Sequence, residues 1–169
     1  KYFEKLRNKG NNNNLPTLLT ESLNLWVSFP DIDEIEAINS IKSLSKKYEN
    51  LKKIQDVFAH CYFESEETSL KFEKLIKKQQ YELQRYNFFY ANYLYNLEKT
   101  NKAISIIDTS LDLNPNNILL SQLREDIKSK KSKLFSDNFN CKKIQHIIAE
   151  IFYITANALS SQSLNDLSN

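Results

Sequence analysis

The stretch YNFFYANYLYNLEKTNKAISIIDTSLDLNPNN, residues 86–117, carries the strongest structural signal in the chain. Five of its first eight residues are aromatic, and a polar turn at 98–101 separates them from a second segment with apolar residues at helical spacing. The stretch closes at Asn114-Pro115, where proline disfavours helical geometry in the residue before it. The pattern therefore predicts two consecutive helices, and the aromatic run is either the inside of this helix pair or a binding platform.

The composition of the whole chain favours an all-α fold. Its 169 residues include one Gly and three Pro, which is too few for the many turns of an all-β protein. Hydrophobic residues make up 41% and charged residues 26%, as in globular domains. The net charge of +2 is too balanced to indicate binding to nucleic acid or to an anionic membrane, and no apolar run is long enough to span a bilayer.

The start of the chain and its cysteines bear on where the protein works. The sequence begins at Lys1 and contains no Met, so we interpret it as a fragment of a longer protein from which a targeting segment could be missing. Cytoplasmic localisation is the default expectation. Cys61 and Cys141 do not form a dense disulfide framework, and no sequence feature supports the single bridge that they could make.

Apolar periodicity predicts about eight helices in one helical-repeat domain at 16–169, after a flexible N-terminal segment at 1–15 that contains the run GNNNN. The first helix opens at Pro16 and breaks at Pro30, and the second reaches about Tyr48. The fourth reaches about Gln80, and the sixth ends at Asn114-Pro115. The other predicted helices cover about 51–63, 84–97, 117–134 and 143–160.

Polar turns start near residues 30, 64 and 98, so 34 residues separate each from the next. A fixed period of this length is typical of stacked helical repeats. With Pro115 at position 32 of such a repeat, residues 84–117 resemble a tetratricopeptide repeat, although Asn87 stands where Trp is common. The residues that match the pattern, and to which the resemblance gives a packing role, are Tyr90, Ala91, Leu94, Ala103, Ile107, Ser110 and Pro115.

The resemblance implies a short right-handed solenoid of antiparallel helix hairpins. Residues 16–49 and 50–83 would be degenerate units, and 146–159 would be the first helix of a further repeat. Small residues such as Ala91 and Ala103 would let the two helices of a hairpin approach closely. Because such repeats bury their faces only by stacking, an open apolar end at 146–159 predicts further repeats or self-association.

In tetratricopeptide hairpins, five positions of the first helix line a concave groove that binds a partner peptide or helix. Phe88 and Tyr95 would hold apolar side chains, Asn92 would bond the peptide backbone, and Arg85 would meet a carboxylate. An open alternative is that all these aromatic residues lie in the core. The groove residues implied for 84–117 are Arg85, Phe88, Asn92, Tyr95 and Asn96. The corresponding residues of the preceding unit could equally be covered by the chain itself. They are Leu51, Ile54, Phe58, Cys61 and Tyr62.

The predicted function is a protein-interaction or scaffolding module, without enzyme activity, cofactor or metal. No Gly-rich phosphate loop, GxSxG or HExxH motif occurs. One alternative is an adaptor domain of a larger enzyme whose catalytic domain is absent here. Zinc binding by His60, Cys61, Cys141 and His146 is disfavoured, because adjacent helical residues diverge by about 100° and no CxxC pair exists.

A second alternative is an RNA-binding helical repeat, since repeats of similar length bind RNA one base at a time. Lys71, Lys74 and Lys78 share a helical face, and four further lysines cluster at 128–133. Acidic residues interleave with these lysines, however, and a solvated charged face explains them. The sequence therefore favours a protein or peptide partner over nucleic acid.

Overall fold

The computed structural model describes residues 15–44, 49–129 and 139–167, and all regular secondary structure in these ranges is helical. The prediction of an all-α fold is confirmed. A 3₁₀ turn, Phe29–Asp31, follows the first helix directly. Within the described ranges the eight α-helices are Leu15–Ser28 (α1), Glu34–Ser43 (α2), Glu49–Tyr62 (α3), Thr68–Lys78 (α4), Gln84–Asn96 (α5), Thr100–Leu113 (α6), Ile118–Lys128 (α7) and Ile144–Leu167 (α8).

Three predictions fall partly outside the described residues. Of the flexible segment predicted for 1–15, only Leu15 is described, as the first residue of α1. The predicted ends of the second helix near Tyr48 and of the helix at 117–134 lie within 45–48 and 130–138, which are not described. At the other end of the chain, α8 continues to Leu167, beyond the predicted end near residue 160.

The ends of alternate helices recur at a fixed interval. Helices α1, α3 and α5 end at Ser28, Tyr62 and Asn96, so 34 residues separate each end from the next. Glu64 and Glu98 lie two residues after the ends of α3 and α5, and both have positive φ, 56° and 60°. The same local backbone geometry therefore follows both helices.

Polar side chains mark two of the helix starts. Asp33 precedes α2 and its carboxylate accepts a hydrogen bond of 2.9 Å from the backbone N–H of Glu36. Asn117 does the same for α7, accepting from the N–H of Leu120 at 3.0 Å. Each bond satisfies an N–H group that has no partner within the helix. These local signals explain why the helices start where they do.

The turn after α5 is a Schellman motif that lacks glycine. The N–H of Lys99 donates to the carbonyl of Leu94 and the N–H of Glu98 to that of Tyr95, both at 2.9 Å. The motif requires positive φ at Glu98, where a Cβ costs about 1–2 kcal/mol and glycine is usual. The turn after α4 places Gln80 in the same position, with a φ of 49°.

Substituting Glu98→Gly is expected to raise the free energy of unfolding by about 0.5–1 kcal/mol, because glycine adopts positive φ without the steric cost. Urea denaturation followed by circular dichroism would measure the change. The control is Lys99→Gly, since Lys99 is exposed and has a φ of −84°; this substitution should not stabilise the chain. Equal effects of the two substitutions would contradict the interpretation.

The chain divides into two compact units, and the boundary falls inside the predicted repeat at 50–83. The first unit contains the residues up to Phe63 and those from Cys141 onward, so it is assembled from two separate segments of sequence. The second unit is continuous and covers Glu64–Asn140.

In the first unit, α1 packs against α8 and α2 packs against α3. Trp26 is completely buried and stacks on Phe29 with ring centroids 3.8 Å apart. The indole N–H of Trp26 donates to the side-chain oxygen of Gln55, and the side-chain amide of Gln55 donates to the hydroxyl of Ser22, both at 3.0 Å. Because all three polar groups are buried and bonded, this network links α1 to α3 in one arrangement.

Part of helix α8, which the repeat resemblance implied to be an open apolar end, is covered within the chain. It packs against α1, and its Ile147 and Ile151 are fully buried. Ile154 of α8 packs with Leu25 of α1 against a core cluster of Leu44 and Leu51. One apolar face of α8 is therefore covered within the chain, whereas Phe152 and Tyr153 of the same helix are about half exposed.

A disulfide joins Cys61, at the end of α3, to Cys141, just before α8. The two Cα atoms are 5.8 Å apart, within the usual range for a disulfide. The bridge cross-links the two segments of the first unit. The sequence alone did not support this pairing of the two cysteines.

In the second unit, α5 packs against α4, α6 and α7, and α6 also packs against α7. The ring of Phe72 on α4 stacks on that of Tyr90 on α5, with centroids 5.1 Å apart. Leu94, Ile107 and Leu120 are completely buried. Helix α5 is therefore the central helix of this unit.

Candidate functional site

Helix α5 and its neighbour α6 carry most of the residues that the sequence singled out. Ala91 on α5 and Ala103 on α6 are both completely buried, and small side chains at such positions let two helices pack closely. Pro115, in contrast, is exposed in the turn before α7. The remaining residues with an assigned packing role, Tyr90, Leu94, Ile107 and Ser110, are also completely buried.

The five predicted groove residues differ in accessibility. Phe88 is 1% exposed and Asn92 is 5% exposed, so both belong to the core of the chain. Arg85 and Asn96 are exposed and Tyr95 is half-buried. A partner lying along α5 would therefore contact Arg85 near the start of the helix and Tyr95 and Asn96 near its end.

The corresponding residues of the preceding predicted unit are covered. Of these five residues of α3, four are buried and Tyr62 is half-buried. Cys61 is also held in the disulfide. This matches the alternative in which the chain itself covers the more apolar groove. The buried members are Leu51, Ile54, Phe58 and Cys61.

An aromatic cluster surrounds Phe89, which the sequence did not single out. The ring of Phe139 stacks on that of Phe89 with a centroid distance of 4.0 Å and an interplanar angle of 14°. Tyr86 and Phe88 contact Phe89 edge-on, at 5.7 and 6.1 Å. The guanidinium carbon of Arg85 lies 5.1 Å from the centroid of the Phe89 ring. The available sequence signal was the pair Phe88-Phe89, because consecutive helical residues point about 100° apart and so reach two faces.

A polar network links α4, α5 and α6 around Tyr90. The phenol of Tyr90 lies 3.1 Å from the hydroxyl of Ser69 and donates to Glu73 Oε1 at 3.1 Å. Glu73 forms ion pairs with Lys102 of α6 and, at 3.6 Å, with Lys77 of its own helix. The network thus connects three helices through one carboxylate.

The pKa values of Glu73, Lys102 and Tyr90 are each shifted further from neutrality. The hydrogen bond from Lys102 holds the pKa of Glu73 below its ordinary value of 4.5. The same bond raises the pKa of Lys102 above 10.5, and burial raises the pKa of Tyr90 above 10. Because none of these pKa values is moved towards neutrality, the network suits a structural link better than proton transfer.

Glu73 is expected to make stability depend on pH under acidic conditions. A carboxyl whose pKa is lowered by folding stabilises the native state above its unfolded pKa, and this contribution is lost as the pH falls through the native pKa. Stability should therefore decrease below about pH 4.5, and Glu73→Gln should weaken this decrease. Thermal unfolding midpoints from pH 3 to pH 7 would test this, with the more exposed Glu67→Gln as the control. Identical profiles for the wild type and Glu73→Gln would contradict the assignment.

His60 in the first unit lies between two carboxylates. Its Nδ1 is 3.5 Å from Glu34 Oε1, and its Nε2 is 3.6 Å from Asp56 Oδ1. The disulfide removes Cys61 and Cys141 as thiolate ligands. Across residues 15–44, 49–129 and 139–167, no three His, Cys, Asp or Glu side chains are grouped so that they could hold a metal ion.

Several lysines considered for RNA binding are close to acidic side chains. Lys71 lies 3.8 Å from Glu67, and Lys128 lies 3.9 Å from Glu125. The other three lysines of the cluster at 128–133 lie outside the described residues. Among the helices that the structure describes, none is long and apolar enough to cross a membrane.

No protein-family model, curated protein or solved structure matches the chain.

Proposed function

We propose that the chain is a protein-interaction module built from helix hairpins, which binds a peptide or helix of a partner protein along α5. The observation that carries this proposal is the 34-residue recurrence of helix ends at Ser28, Tyr62 and Asn96. It is supported by the small buried residues Ala91 and Ala103, where α5 packs on α6. Both features resemble a tetratricopeptide repeat, in which stacked hairpins act as a scaffold for partners.

The accessible part of α5 has the chemistry of a recognition surface. Tyr95 supplies a half-buried aromatic ring, and Asn96 supplies an exposed amide that can donate and accept hydrogen bonds. Tyrosine and arginine are, with tryptophan, the residue types enriched among energetically dominant interface positions. In this proposal Phe88 and Asn92 support the surface from the core rather than contacting the partner.

The direct test is binding of the purified chain to a displayed library of unstructured peptides, followed by affinity measurements on enriched sequences. Tyr95→Ala/Asn96→Ala should weaken binding at least about tenfold, which is typical of losing an interface position of about 1.4 kcal/mol or more. The matched control is Asn101→Ala/Ser105→Ala, two exposed positions on α6, which should bind like the wild type.

Two results would count against the proposal. One is that no peptide is enriched over a library without the protein. The other is that the α5 and α6 double variants lose the same affinity while circular dichroism shows both to be folded. An adaptor domain of a larger enzyme would use the same kind of surface, so this experiment also applies to that alternative.

A further inference from the structure

The turn between α4 and α5, residues 79–83, holds two consecutive residues in the left-handed region. Gln80 has a φ of 49° and Tyr81 a φ of 61°. Both residues have a Cβ, which in this region lies too close to the following carbonyl oxygen, and positive φ is rare for a side chain as bulky as tyrosine. A strained backbone of this kind persists only where the surrounding structure holds it.

Two side-chain amides of α5 hold this turn. The carbonyl oxygen of Tyr81 accepts hydrogen bonds from the side-chain N–H groups of Asn87, at 2.7 Å, and of Gln84, at 3.0 Å. The backbone N–H of Tyr81 donates to the carbonyl of Ile76 on α4, at 2.9 Å. The strained residue is therefore bonded to α4 through its N–H and to α5 through its carbonyl.

Asn87 is completely buried, at the position where Trp is common in the repeat pattern that the chain resembles. Its Nδ2 bonds to Tyr81, whereas its Oδ1 has no hydrogen-bond partner among the described residues. A buried acceptor without a partner is unfavourable, and an apolar side chain would not have this cost. What Asn87 contributes at this position is therefore the hydrogen bond to Tyr81.

Gln84 extends the contacts of the turn to two further helices. Its Nε2 lies 3.5 Å from the carbonyl oxygen of Ser110, in the last turns of α6. Its Oε1 accepts a hydrogen bond of 3.4 Å from the side chain of Asn117, which caps α7. All four helices of the second unit therefore meet around the amides of Gln84 and Asn87.

We infer that Asn87 and Gln84 form a clasp, which keeps the α4–α5 turn in its strained conformation and so fixes how α4 packs against α5. Asn87 is the main positioning residue, because its bond to Tyr81 is the shorter of the two and is made from a completely buried position. Without the clasp, Tyr81 relaxes to negative φ and its N–H no longer reaches the carbonyl of Ile76. This role of Asn87 does not depend on which partner binds along α5.

The first test is a double-mutant cycle in the full chain, measured by urea denaturation. Asn87→Leu/Gln84→Ala removes both donors and should destabilise the chain. Tyr81→Gly introduces a residue that adopts positive φ without the steric conflict, so it should compensate for the missing clasp. Its effect on the unfolding equilibrium constant should be at least about threefold more favourable in the variant without the clasp than in the wild type, beyond the roughly twofold range within which independent substitutions are additive. The loss of the Tyr81 ring is common to both backgrounds and cancels.

The matched control is Asn92→Leu, the same substitution at another buried position of α5, which is 5% exposed. Because Asn92 is not part of the clasp, Tyr81→Gly should have the same effect in this variant as in the wild type. Where Asn87→Leu/Gln84→Ala does not fold, Gln84→Ala alone takes its place in the cycle, since the side chain of Gln84 is only half-buried. The interaction with Tyr81→Gly should then be smaller but of the same sign.

NMR provides a second readout, which the loss of a side chain that merely fills the core would not change. Positive φ brings the amide proton and the Hα of a residue close together, so Tyr81 of the wild type should show a strong nuclear Overhauser effect between these protons. The folded variant without the clasp should lose this signal, and Asn92→Leu should keep it. The inference is overturned when the substitutions in the cycle are additive, or when a folded variant that lacks both amides keeps the signal at Tyr81.

Discussion

Replacing Ile147 and Ile151 together by alanine is expected to lower the free energy of unfolding by about 4–10 kcal/mol, since each buried Ile→Ala change costs about 2–5 kcal/mol. Both side chains are fully buried on α8, which packs against α1. A loss of this size is comparable with the total stability of a typical domain, about 5–15 kcal/mol. The first unit should therefore be partly or wholly unfolded at room temperature.

The single tryptophan of the chain makes this measurement specific. Trp26 is completely buried in α1 of the same unit, so its fluorescence reports unfolding there, while circular dichroism reports the helices of the whole chain. The matched control is Phe152→Ala, because Phe152 is on the same helix but is 49% exposed. A double variant whose urea midpoint stays close to that of the control would show that α8 does not stabilise the first unit.

Removal of the disulfide by Cys61→Ser/Cys141→Ser is expected to lower the free energy of unfolding by about 4 kcal/mol. The bridge joins residues 80 apart in sequence, and cross-linking a loop of this length removes much of the entropy of the unfolded chain. This loss of about 4 kcal/mol is an upper estimate, because residual structure in the unfolded state reduces the stabilisation that a disulfide provides.

Reduction of the wild-type protein provides an independent version of the same experiment. A phosphine reductant should lower the unfolding midpoint of the wild type towards that of the double serine variant and leave the variant unchanged. Because both cysteines are buried, reduction should be slow under native conditions and fast in urea. An unchanged wild-type midpoint after complete reduction, verified by thiol alkylation, would contradict a stabilising bridge.

Local features of the sequence were sufficient to predict most helix boundaries. Asp33 caps α2 and Asn117 caps α7 through their own side chains. Pro115 lies in the turn directly after α6. Each of these residues determines a helix end that lies within four positions of it in sequence. Apolar periodicity and turn-forming residues were therefore enough to predict these ends.

The candidate site was less predictable, because accessibility depends on residues that are distant in sequence. Phe88 and Tyr95 have the same role in the repeat pattern, yet Phe88 is 1% exposed and Tyr95 is half-buried. The stacking of Phe139 on Phe89 joins positions 50 residues apart in sequence, with α6 and α7 between them. No helical period connects such positions. The pattern of apolar residues could therefore predict neither the difference in exposure between Phe88 and Tyr95 nor the contact between Phe139 and Phe89.

The sequence by itself determined that the chain is all-helical, where most of its helices begin and end, and that alternate helices end 34 residues apart. These properties follow from hydrogen bonds and side-chain spacing within a few residues. Only the tertiary structure decided that Cys61 pairs with Cys141, that α8 packs on α1, and that the ring of Phe139 stacks on that of Phe89. The physical reason is that an apolar side chain gains stability from burial against any neighbour, so its pattern identifies a buried face without identifying what covers it.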